Sequence, residues 1–92
     1  VTAEERAEIG SWVESRLKAM GREYPHDSAR AHAARRIQHA VDLNAPGTLE
    51  CEDDLRALAS ALGPHIASRG VSPEVAVLYT RTLEALGRSL FD

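Results

Sequence analysis

Cysteine is almost missing from this chain: 92 residues contain one, Cys51. An internal disulfide is therefore excluded, as is a thiolate zinc site built within a single chain. Aromatic residues are nearly as scarce, limited to Trp12, Tyr24, Tyr79 and Phe91. No apolar run approaches the roughly 18 residues that a membrane-spanning helix needs. The first ten residues carry four charges and no apolar stretch, which speaks against an intact secretory signal. The six glycines stand singly, so no glycine-rich loop is available to cradle a phosphate. No Ser-His-Asp or Cys-His constellation can be assembled from the spacing. The net charge of -3 supplies no bulk attraction to nucleic acid or to acidic membranes. These absences lead to the expectation of a non-enzymatic protein of a reduced, cytoplasmic compartment, with no cofactor.

What is present reads as one folded domain over residues 1–92, with 43% hydrophobic and 27% charged residues. Fifteen alanines, with abundant Leu, Arg and Glu, favour helix intrinsically. No segment alternates in the manner of a strand. The expected fold is all-α, a bundle of four main helices with a short extra helix near residues 64–69.

Thr2 and Glu5 have the spacing of a capping box. Ile9, Trp12, Val13, Leu17 and Met20 then recur at helical intervals, predicting a first helix over about Ala3–Met20. Tyr24-Pro25 ends any continuation, because a residue before proline avoids the α region. Asp27 or Ser28 is a candidate cap for a second helix, about Ser28–Leu43, whose apolar face holds Ala29, Ala33, Ile37, Ala40 and Val41. Asn44-Ala45-Pro46-Gly47 is a turn. Thr48 is the candidate cap of a third helix, with Glu50, Glu52, Asp53 and Asp54 at its dipole-positive end and Cys51, Leu55, Leu58, Ala59 and Leu62 on its core face. Gly63-Pro64 predicts a stop or kink, and a separate short helix over Pro64–Arg69. Ser72-Pro73-Glu74 is the strongest helix start in the chain, predicting a fourth helix over Pro73–Phe91. Val75, Leu78, Tyr79, Thr82, Leu86 and Leu90 form its main apolar face. Ala76, Thr80, Leu83 and Gly87 form a second, flatter one. A helix apolar over so much of its girth touches two neighbours, and a second subunit is the expected covering of Ala76, Thr80, Leu83 and Gly87.

The polar residues give weaker signals. His32 and His39 lie seven apart on one helix face, with Arg36 between them, but metal pairs on a helix prefer a spacing of four. Arg30, Arg35 and Arg36 make the second helix the most basic segment, which is the nucleic-acid alternative; a DNA- or RNA-binding helix carries a denser stripe than this. The acids at residues 50–54 lack the glycine and spacing of a calcium loop. Cys51, among acids and on a predicted core face, reads as a buried structural thiol.

Two stretches resemble the globin superfamily. Residues 1–17, VTAEERAEIGSWVESRL with Trp12, are similar to its opening helix. Residues 55–91 resemble the segment of bacterial globins that holds the proximal histidine, a glycine corner and a helix begun by Pro-Glu. The same stretch resembles haem-free globin-like sensor domains found at the N-termini of stressosome proteins and some transcription regulators, through Gly70, Val71, Glu74 and Tyr79. The resemblance implies a regulatory helical domain, or a truncated globin. Counting back from Gly70 places the family's haem-ligating position on Ile66, one residue from His65 and so about 100° away around a helix. A one-residue shift makes His65 the candidate axial ligand of a haem, in a pocket between the third and fourth helices lined by Trp12 and Tyr79.

The leading expectation is a regulatory protein-interaction module that pairs with itself and with a further protein. The alternatives are a small-ligand or haem sensor, and nucleic-acid binding through the second helix. The expected core is Ile9, Trp12, Val13, Leu17, Ile37, Val41, Leu55, Leu58, Leu62, Ile66, Leu78, Tyr79, Leu83 and Leu86.

Overall fold

The computed structural model describes residues 1–91, with side chains through Arg88. It is all-helical: α1 spans Ala3–Ala19, α2 Asp27–Asp42, α3 Glu52–Arg69 and α4 Pro73–Phe91, with a one-turn 3-10 helix over Pro46–Thr48. There is no strand among the described residues, and no helix long and apolar enough to cross a membrane. α1 packs between α2 and α3, α3 packs between α1 and α4, and the 3-10 turn bridges α2 and α4. The first turn of α1 meets the last turn of α2 through Arg6 and Asp42, and the last turn of α3 through Glu8 and Arg69. α1 therefore runs opposite to both neighbours.

The helix signals fold as their chemistry requires at α1 and α4. The Thr2 hydroxyl accepts from the Glu5 N–H at 3.1 Å, and the Glu5 carboxylate accepts from the Thr2 N–H at 3.1 Å. Ser72 caps α4, its hydroxyl accepting from the Val75 N–H at 3.2 Å and donating to Glu5 at 2.8 Å. One carboxylate thus serves two helix N-termini. Gly70 closes α3 at φ 80 and ψ -178, a backbone conformation open to glycine and strained for other residues.

Three boundaries differ from the sequence expectation. α3 is one continuous helix through Pro64, so the separate short helix at residues 64–69 does not exist. Proline lacks the N–H that would bond the Ser60 carbonyl, but Ser60 is exposed and water can serve that oxygen. α3 also starts later than expected. Thr48 ends the 3-10 turn with its hydroxyl bonded to the Ala45 carbonyl at 2.7 Å, and Cys51 is the N-cap position of α3. Cys51 is consequently exposed, not in the core, and Leu49 takes the inward position. Glu50 lies outside the helix. α2 begins after His26, with no side-chain cap; Arg30 folds back instead, donating to the Tyr24 carbonyl at 2.9 Å and pairing with Asp27.

The core is made of Ile9, Val13 and Leu17 from α1, Ala33, Ile37, Ala40 and Val41 from α2, and Leu55, Leu58 and Leu62 from α3, with Val75 and Leu78 from α4. Ala57, Ala61 and Ala85 are buried with them, so alanine shortens the distance between helix axes. Trp12, Ile66, Tyr79 and Leu86 pack on this core half-buried. Leu83 is a correction: it is 46% exposed and belongs to the surface, because the burial of Val75, Leu78, Thr82 and Ala85 turns the opposite side of α4 outward. Leu90 and Phe91 carry side chains outside the described residues. If α3 is unbroken, Pro64→Ala restores a backbone hydrogen bond within it. Urea denaturation should then show a gain of roughly 1–2 kcal/mol, the interior-proline penalty less the stiffness proline gives the unfolded chain. No gain would place a true break at Pro64.

Candidate functional site

Three polar or surface features stand out from the packed helices. The first is a buried carboxylate. Asp54 lies in the first turn of α3 and is 0% exposed. Its Oδ2 accepts from Arg36 Nε at 2.7 Å and its Oδ1 from Arg36 Nη2 at 3.2 Å, a two-pronged pair from mid-α2. Oδ1 also accepts from the hydroxyl of Tyr24, itself buried. Burial and then the hydrogen bond to Asp54 hold the Tyr24 proton, pushing its pKa far above the usual value near 10.0. The bond to Asp54 likewise raises the Arg36 guanidinium. Beside this group lies a cleft of about 360 Å³, walled by Arg36, His39, Thr48, Leu49, Cys51 and Asp54 among others.

The second feature sits where the start of α1 meets the end of α3. His65 is 1% exposed, and its Nδ1 lies 3.3 Å from Glu8 Oε1 without hydrogen-bonding geometry. Glu8 Oε2 pairs with Arg69 Nε at 2.5 Å. Burial works against the Glu8 charge, yet the Trp12 indole, Arg69 and His65 together hold its carboxyl below the usual range. A cleft of about 260 Å³ opens over these groups, with Thr2, Glu4, Glu5 and Ser72 on its walls. The third feature is the outward side of α4, where Ala76, Val77, Thr80 and Leu83 are exposed and Gly87 is partly so. A shallow cleft there is lined by Ala76, Val77, Thr80, Arg81 and Glu84. Arg81 is held in place by the Asn44 carbonyl at 2.7 Å, and Asn44 has the left-handed φ of 49 that a turn asparagine tolerates.

The residues singled out from the sequence fall as follows. Ala76, Thr80, Leu83 and Gly87 share one outward face. Trp12 and Tyr79 rest on the core and line none of the five clefts described on the surface. His65 is turned toward Glu8 on α1. Of the three arginines, Arg30 closes the start of α2, Arg36 serves Asp54, and Arg35 alone makes no ion pair among the described residues. No trio of His, Cys, Asp or Glu among the described residues could hold a metal ion. The Asp54 group escaped sequence reasoning. Its available signal was a tyrosine set just before a helix start and an aspartate at the position one turn ahead of Leu58, on the core side of α3.

No family model, curated protein or solved structure matches the chain.

Two outcomes test the buried group. Asp54→Ala leaves the Tyr24 hydroxyl buried and unpartnered, and should cost about 3 kcal/mol in urea denaturation. The raised Tyr24 pKa also makes stability depend on pH. Below about pH 10 both states keep the phenol proton, and its contribution is complete. Above pH 10 the unfolded chain releases the proton first, so stability falls with rising pH. Tyr24→Phe should flatten that part of the alkaline decline when urea stabilities at pH 8 and pH 11 are compared with those of the unaltered protein. An equal decline in both would put the titrating group elsewhere.

Proposed function

We propose that this chain is a non-enzymatic regulatory interaction module that pairs with a second copy of itself through the outward face of α4. The observation that carries the reading is the face made by Ala76, Thr80, Leu83 and Gly87, one large apolar side chain set among small ones. Such a face fits itself. In an antiparallel pair of α4 helices centred between Thr80 and Leu83, Ala76 lies opposite Gly87 and Thr80 opposite Leu83. The Leu83 of each copy then meets small residues of the other, and the small positions let the helix axes approach. Arg81 and Glu84 flank the same face one turn apart, so the two-fold pairing also brings opposite charges within a turn of one another. Val77, 42% exposed, widens the apolar area. The absence of any catalytic arrangement read from the sequence supports a binding role.

Sedimentation equilibrium over a range of micromolar concentrations tests the reading. A dimer is expected, and Leu83→Glu should convert it to a monomer with the same helical circular dichroism, because an exposed position tolerates the charge within the fold. A monomeric unaltered protein would overturn it.

A further inference from the structure

We infer that the shallow cleft on α4 is the socket for Leu83 of a second copy, and that Arg81 and Glu84 on its rim select that copy and its antiparallel direction. The inference rests on the pairing proposed above and names what decides the partner. The cleft, about 310 Å³, is lined by Ala76, Val77, Thr80, Arg81 and Glu84. Val77, Thr80, Arg81 and Glu84 stand at i, i+3, i+4 and i+7, four neighbours that enclose a hole on a helix surface. Leu83 is the knob such a hole takes, 46% exposed on the same side of α4. With Thr80 opposite Leu83 in an antiparallel pair, the knob falls within about 1 Å of the middle of the hole along the axis. Two-fold symmetry fills both sockets at once.

Charge selects the partner. The small and apolar part of the cleft accepts a leucine from any helix, and the rim restricts which helix that is. In the antiparallel pair each Arg81 lies two residues along the axis, about 3 Å, from the partner's Glu84. The two-fold axis brings the same flank of each copy together, so both pairs form on one side. A parallel pair sets Arg81 against Arg81 and Glu84 against Glu84, and these repel. Arg81 is also held ready. Its Nη1 donates to the Asn44 carbonyl at 2.7 Å, just beyond the end of α2, and the other guanidinium donors remain for a carboxylate. A side chain already fixed loses less freedom on pairing. Glu84 is exposed and makes no ion pair among the described residues.

Sedimentation equilibrium compares the unaltered protein with Arg81→Glu, Glu84→Arg and the double exchange. Each single exchange sets like charges together twice and should weaken dimerisation at least about tenfold. The double exchange restores opposite charges and should recover most of that loss. The two single variants, mixed, should form a heterodimer in native mass spectrometry at concentrations where each alone is monomeric. In unaltered protein mixed from isotope-labelled and unlabelled chains, intermolecular nuclear Overhauser effects should join the Leu83 methyls of one copy to Val77 and Thr80 of the other. In a parallel pair a single exchange replaces one like-charged contact by another and leaves the affinity as it was. A dimer unchanged by the single exchanges, unrestored by the double exchange or lacking the Leu83 contacts overturns this assignment, while the α4 pairing stands on its Leu83→Glu result. A monomeric unaltered protein overturns both. If circular dichroism shows Arg81→Glu unfolded, Glu84→Arg and the Overhauser contacts decide.

Discussion

The fold depends on one buried charge. Asp54 has no contact with water, and an isolated carboxylate in that position would cost several kcal/mol. Its two partners come from different parts of the chain: Arg36 from the middle of α2, and Tyr24 from the loop before it. All three must therefore arrive together. Apolar contacts among alanines and leucines are non-directional and tolerate sliding. A carboxylate that accepts a two-pronged arginine and a phenol does not. The group sets the register of α2 against α3, and it pins the Tyr24 loop beneath the start of α3.

At the opposite end, the first turns of α1 act as a junction. Arg6 reaches Asp42 at the end of α2, Glu5 reaches Ser72 at the start of α4, and Glu8 reaches Arg69 and His65 at the end of α3. Most of these contacts are exposed, so each contributes at most about 1 kcal/mol. Together they place one helix terminus against three others. A cleft is the hollow left between them, and its lining follows from that placement: carboxylates offered by α1 face a histidine and an arginine that α3 supplies.

Much of the helical pattern was legible from local signals. The capping box at Thr2 and Glu5 and the Ser72-Pro73 start act within one turn, so spacing reveals them. The apolar faces of α1 and α2 were readable for the same reason, since Ile9, Val13, Leu17, Ile37 and Val41 recur at the helical period. Pro64 misled because the cost of a missing backbone bond is modest when the orphaned carbonyl faces water, and packing on both sides carries α3 through it. Cys51 misled because its place was judged from a helix start three residues too early. A small shift in the start turns a helix face by a large angle. Leu83 satisfied the pattern of a core residue while lying on the outer side of a helix apolar around most of its girth. The candidate site was less legible. His65 was visible as a histidine of interest, with Arg69 one turn further along the same helix, but Glu8 and Trp12 lie in a distant segment, and nothing in the spacing joins the two pairs.

The amino-acid sequence by itself determined the all-helical class, the four main helices and most of the residues that face the core, because these follow from propensity, capping and periodicity within a few turns. Only the tertiary structure decided that Asp54 is buried with Tyr24 and Arg36, that Glu8 faces His65, and that the Leu83 side of α4 is left outward. Those outcomes are pairings between segments up to 57 residues apart, as from Glu8 to His65. They are selected by the need to partner each charge and polar atom that packing removes from water. Sequence periodicity says which way a side chain turns, and tertiary packing supplies what it meets.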